Sequence, residues 1–137
     1  VIDITEKIKR EEGFCGTLYA CTQNKLTTGY GFNLEAIEMP VEVADLWLRM
    51  ILNKLNVDLN SEFKWLRRLD FVRRIVIFDM AYQMGVGGLK GFKGMIAAVE
   101  DKDYSKAADE LLDSKYAKQT PGRANRNAAI MRTGVFK

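Results

Sequence analysis

EEGFCGTLYACTQNKLTTGYG, residues 11–31, decides how this chain folds. The residues just before it, 3–12, read as a short helix. Asp3 suits an N-cap and Glu6, three residues on, could complete a capping box. Gly13 is a natural stop. Thr17-Leu18-Tyr19 and Lys25-Leu26-Thr27-Thr28 are β-branched and aromatic runs on either side of the polar turn Thr22-Gln23-Asn24, the pattern of a hairpin. Gly29-Tyr30-Gly31 then asks for backbone freedom, for a bend or a close approach.

After the hairpin the apolar spacing is helical. Pro40 can open a helix because its missing N–H costs nothing in the first turn. Val41, Ala44, Leu48 and Ile51 recur on one face, predicting a helix from Val41 to about Asn53 that extends towards Leu59. Asp70 to Met84 has little polar face, so it reads as a buried central helix. On it, Arg73, Arg74 and Asp79 must occupy the one wet edge or find partners. Gly85, Gly87, Gly88 and Gly91 read as a flexible connection. Phe92–Val99 and Ser105–Leu112 read as short helices, and Pro121 opens a last one to about Met131 with Gly134 beyond it. Strands followed by a run of helices predict an α+β fold. The expected layout is one domain over 1–137, with a small β lobe at about 13–35. The first helix and about 40–137 form the helical part, and a cleft between the lobes is the expected binding site.

The 137 residues suit one domain, and 47% hydrophobic content suits a sizeable core. Net charge is +3, yet Lys115, Lys118, Arg123, Arg126, Arg132 and Lys137 face no acidic residue after Asp113. Such a basic tail favours a polyanionic partner, or is simply a solvated helix face. There is no histidine. That excludes hydrolases built on an imidazole base and the common catalytic zinc sites, for which two cysteines are no substitute. Neither a metal nor another cofactor is expected. Cys15 and Cys21 on one extended segment would lie roughly 20 Å apart, beyond the ~7 Å that a disulfide spans, so two free thiols are expected. Nothing in the sequence reads as a membrane span or a signal peptide. Trp47 and Trp65 read as packing residues rather than sugar platforms.

What remains is carboxylate chemistry. Glu12, Cys21 and Thr27 place an acid, a nucleophile-type group and a hydroxyl at one helix-to-hairpin junction. Cleavage of a glycosidic bond needs one group to protonate the leaving oxygen and another to activate water or attack directly. A Glu in the acid role needs a partly desolvated setting. Cys21 could act as a thiolate or give way to a bound water, and Thr27 could hold that water. Each residue also has a plain reading: surface Glu, small core Cys, strand-forming Thr.

The chain resembles the lysozymes of the T-even bacteriophages over most of its length. The matching blocks are EEGF with LYACTQNKLTTGYG, then LDFVRRIVIFDMAYQMG, GFKGMIAAVEDKDYSKAADELLDSKY, QTPGRANR and RTG, in that order. The resemblance implies a two-lobed phage-lysozyme fold and hydrolysis of the β-1,4 bond between N-acetylmuramic acid and N-acetylglucosamine in peptidoglycan. The family's set is Glu, then Asp or Cys, then Thr. It makes Glu12 the general acid, puts Cys21 where most members have Asp, and makes Thr27 the residue that positions the attacking water. Arg123 resembles the Arg that faces the catalytic Glu, and Gly31, Tyr82 and Gln83 resemble saccharide-contacting residues. Phe32 stands where a His is frequent, which reads as loss of a structural contact. The implied partner is bacterial peptidoglycan, with no nucleic acid, no stable membrane insertion and a monomeric state. The implied setting is the host bacterial cytoplasm before release to the wall, or a virion if the domain belongs to a tail protein. The alternatives are a non-catalytic wall-binding module on the same fold and a nucleic-acid-binding domain using the basic tail.

Overall fold

The computed structural model describes residues 3–137 and is α+β, with helices predominating and one small antiparallel sheet. Two compact units divide it, one running to Leu46 and the other from Trp47 to Lys137.

The first unit opens with α1 (Ile4–Glu12). Asp3 caps it by accepting from the Thr5 N–H at 3.1 Å. Glu6 does not complete the expected capping box; it pairs with Lys9 at 3.1 Å. The sheet has three strands in sequence order, β1 (Cys15–Ala20), β2 (Leu26–Gly29) and β3 (Phe32–Asn33). Tyr19 stands opposite Thr27 and Ala20 opposite Leu26, with an irregularity between Cys15 and Tyr19. Thr28 faces Phe32 in the second pairing. The Thr28 hydroxyl bridges the irregularity by donating to the carbonyls of Cys15 and Thr17, at 3.2 and 3.1 Å. Among the described residues of this unit only Thr27 is buried.

The hydrophobic core lies entirely in the second unit, between Leu55 and Met131. α2 (Val41–Glu62) crosses from one unit to the other as a single helix, longer than its apolar spacing predicts. Its second half anchors in the core through Leu55 and Leu59, while its first half leaves Val43, Leu46, Trp47 and Met50 exposed. Trp47 is therefore not the packing residue expected, whereas Trp65 packs on Phe63 with ring centroids 5.3 Å apart. A 3₁₀ turn at Lys64–Arg68 buries Leu66 and leads into α3 (Phe71–Lys90).

α3 is the centre of this unit, burying Val76, Ile77, Met80 and Ala81. It is not buried all round: Phe71 and Tyr82 are exposed. They line a groove of about 610 Å³ with Leu48, Leu52 and Phe78. Asp70 caps α3 through the Arg73 N–H. Arg73 finds its partners elsewhere, with Nε donating to the Met131 carbonyl at 2.6 Å and its guanidinium 3.8 Å from the Tyr104 ring centroid. A cation there complements the negative carbonyl end of the last helix. α4 (Lys93–Glu100), α5 (Tyr104–Leu112), α6 (Lys115–Gln119) and α7 (Pro121–Thr133) complete the unit.

Candidate active site

β1 ends one residue before Cys21, and the loop that follows fixes this side chain. The Cys21 N–H donates to the Lys25 carbonyl at 3.0 Å, and the Asn24 N–H to the Cys21 carbonyl at 2.8 Å. Asn24 takes a left-handed conformation, φ 57°. This is a β-turn closed by a left-handed residue, a common three-residue hairpin loop. Hydrogen bonding from Lys25 first, then Gln23, aided by the Thr27 hydroxyl, holds the thiol below the ordinary cysteine range. Both Cys21 and Cys15 are free.

Thr27 reaches the same spot from the partner strand. It is 2% exposed, and its Oγ1 donates to the Lys25 carbonyl at 2.8 Å. The Lys25 carbonyl thus accepts from both residues, from the Cys21 N–H and from the Thr27 hydroxyl. The one proton of the hydroxyl goes to that carbonyl. Cys21 and Thr27, joined in the sequence only by spacing, are joined in space by this turn.

Glu12 is the last residue of α1. Its carboxyl oxygen fills the space that a Cβ at Gly31 would take, so Gly31 must be glycine for the carboxyl to sit there; its φ of 70° asks for glycine as well. Gly31 lies in the turn between β2, which carries Thr27, and β3. Glu11 is tied to Lys7, while Glu12 has no ion pair among the described residues. The sequence reading expects a desolvated acid here. Glu12 is exposed, because α1 buries no residue and Phe14, just beyond it, is 71% exposed. The first unit by itself does not supply the desolvation.

The second unit separates the remaining candidates. Gln83 lines a groove of about 580 Å³ with Met84, Lys93, Glu110, Lys115 and Tyr116. Tyr82, its neighbour on α3, lines the groove of Phe71 and Phe78 instead. Arg123 is held by Asp79 through two parallel bonds, Nε to Oδ2 at 2.9 Å and Nη2 to Oδ1 at 2.5 Å. Buried Asn127 donates to the same Oδ2 at 2.7 Å and lies 3.0 Å from the Tyr116 hydroxyl. Asp79 and Asn127 form this network with Arg123, and sequence reasoning named neither as a candidate site residue. The available signal was a carboxylate on an otherwise apolar helix. Arg74, on the same helix, keeps a buried Nε without a partner among the described residues.

Burial pushes the Asp79 carboxyl up, but bonds from Arg123 and Asn127, with the charges of Arg123 and Arg126, outweigh it and hold it below the ordinary aspartate range. A carboxyl lowered on folding contributes stability above its unfolded value, about 3.9, and loses it as pH falls through the folded value. Asp79→Asn is expected to cost about 1 kcal/mol at pH 7, discounted for the partial exposure of the pair. Thermal melts from pH 7 to 2 should then show a shallower acid decline in the variant than in the wild type. Parallel declines would mean that the pair is not a source of acid sensitivity.

Among the described residues no three Cys, Asp or Glu side chains converge to hold a metal ion. None of the helices described is long and apolar enough to cross a membrane.

Residues 9–129 match the family described as Phage lysozyme. The chain is 37% identical over 70 residues to a probable T4-type lysozyme 1 of Dictyostelium discoideum, covering 51% of this chain and 41% of that protein. A second such protein of the same organism is 36% identical over 69 residues, covering 50% and 41%. The pre-baseplate central spike protein Gp5 of Enterobacteria phage T4 is 42% identical over 62 residues, covering 45% of this chain and 11% of that protein. The chain thus spans about two fifths of the length of the Dictyostelium relatives that it matches.

Proposed function

This chain belongs to the phage lysozyme family, and from that premise we propose that it is a muramidase. Its reaction is hydrolysis of the β-1,4 bond between N-acetylmuramic acid and N-acetylglucosamine in bacterial peptidoglycan. The family match runs through both units, which supports a single lysozyme domain.

Two local arrangements in the first unit support the reading. Glu12 rests on Gly31, and Cys21 and Thr27 share Lys25. In the proposed reaction Glu12 gives its proton to the bridging oxygen. Cys21, favoured as thiolate by the turn N–H groups, attacks the anomeric carbon or takes a proton from the water that does, while Thr27 fixes its direction. Gly31, Tyr82, Gln83 and Arg123 are proposed as saccharide contacts. Arg123 arrives at that task already neutralised by Asp79, so what it offers a sugar is a directed N–H donor rather than a free charge. Likeness to the pre-baseplate central spike protein of a phage supports a virion-associated setting, with the wall pierced locally.

The exposed carboxyl of Glu12 favours one other reading, a wall-binding module that does no chemistry. Purified peptidoglycan separates the two. A muramidase creates new reducing ends on N-acetylmuramic acid, seen as muramitol after borohydride reduction. Protein that sediments with the wall and releases none overturns the enzymatic reading.

A further inference from the structure

Three aromatic side chains of the first unit form a connected ladder, and two of them face solvent. The Phe14 and Tyr30 ring centroids are 5.6 Å apart, and those of Tyr30 and Phe32 are 6.3 Å apart in an edge-to-face arrangement. Phe14 is 71% exposed and Phe32 47%. Both ends of the ladder stand over glycine. A Cβ at Gly16 would meet the Phe14 ring at 3.4 Å, and one at Gly29 would meet the Phe32 ring at 2.6 Å. Gly29 has φ 64°, so its backbone asks for glycine as well, and its missing side chain makes room for Phe32.

These rings do not serve a core, because no apolar residue among those described in this unit is buried. Isolated exposed apolar residues need no explanation, but a contiguous, geometrically held aromatic patch marks a binding surface. Its place identifies the occupant. Gly31, against which the Glu12 carboxyl rests, lies between Tyr30 and Phe32 in the chain. The Glu12 carboxyl, reaching over from the end of α1, therefore lies against the turn that carries Tyr30 and leads into Phe32. A β-linked hexosamine presents its ring C–H groups as an apolar face and its hydroxyl and acetamido groups at the rim. That face fits an exposed phenyl ring, with no charge required on either side.

We propose that Phe32, braced by Tyr30 and Phe14, is a stacking platform for a pyranose ring bound beside Glu12. This rests on the reading of Glu12 as the acid of a saccharide site. It assigns a specificity-determining role to Phe32, where the sequence suggested only a lost structural contact.

The test is binding of chitohexaose, followed by NMR titration of the full chain carrying Glu12→Gln so that no turnover occurs. Phe32→Leu keeps an apolar side chain but removes the π-face, and is expected to weaken binding about tenfold. Phe32→Trp should bind at least as tightly, and its indole emission should shift as sugar is added. Thermal melts confirm that each variant is folded; should Phe32→Leu fail to fold, Phe32→Tyr against Phe32→Trp with sugar-dependent ring shifts at position 32 gives the same answer. Binding that ignores position 32, or no binding of the oligosaccharide at all, overturns the platform. If peptidoglycan is not cut but chitohexaose binding depends on Phe32, the platform stands and the muramidase reading falls.

Discussion

Glu12→Gln is expected to lower the rate of peptidoglycan cleavage by about 10²–10⁴-fold, the usual worth of a positioned general acid, and to leave the melting temperature where it was. Stability should not move because Glu12 makes no ion pair among the described residues and is exposed. Glutamine has the same length and can keep the contact with Gly31, but it has no proton to lend the leaving oxygen. The loss should therefore fall on kcat, with KM retained. Gly31→Ala supplies an independent check. Its Cβ claims the space of the Glu12 carboxyl, so it should also reduce cleavage, by displacing the acid rather than altering it. Clearing of permeabilised Gram-negative cells that persists in Glu12→Gln would show that the proton comes from elsewhere.

How much of this could be read from the sequence varies with the range of the interaction. The hairpin was legible because β-branched Thr17, Thr27 and Thr28 flank a polar turn, a local pattern. β3 was not, since Phe32–Asn33 is too short to show alternation. α6 was missed for the same reason, although Ser114 caps it through the Ala117 N–H. The glycines after Met84 read as a flexible connection. The helix does break at Gly85, φ 76°, but resumes to Lys90. Leu89 is fully buried there, and its burial outweighs the poor helix propensity of Gly87 and Gly88. Asp79 was visible as a misfit on α3, while its partner Arg123, 44 residues away, was not. The exposure of Glu12 was equally hidden, because burial of a side chain depends on packing that a local pattern does not show.

Cys21 separates a working thiol from a bystander. Cys21→Ala is expected to lose about 10²-fold or more in cleavage, whereas Cys21→Asp, which restores a side chain able to act as base or nucleophile, should stay within about tenfold of wild type. The turn supports both expectations. The Lys25 and Gln23 N–H groups that favour a thiolate would equally favour a carboxylate in the same place, and the Thr27 hydroxyl remains to orient it. The two should differ in pH response. An ordinary thiol ionises well above an ordinary carboxyl, so wild-type activity should rise with pH as the thiol ionises, whereas an aspartate is already charged at lower pH. Cys21→Asp should therefore extend activity to more acidic conditions, measured as reducing-end release against pH on purified peptidoglycan. The outcome that removes Cys21 from the chemistry is a Cys21→Ala variant with the wild-type rate and the wild-type profile. The Lys25 turn would then be a structural hairpin closure, and the water opposite Glu12 would have to be activated by Thr27 alone, a hydroxyl that is buried and whose one proton is given to a carbonyl.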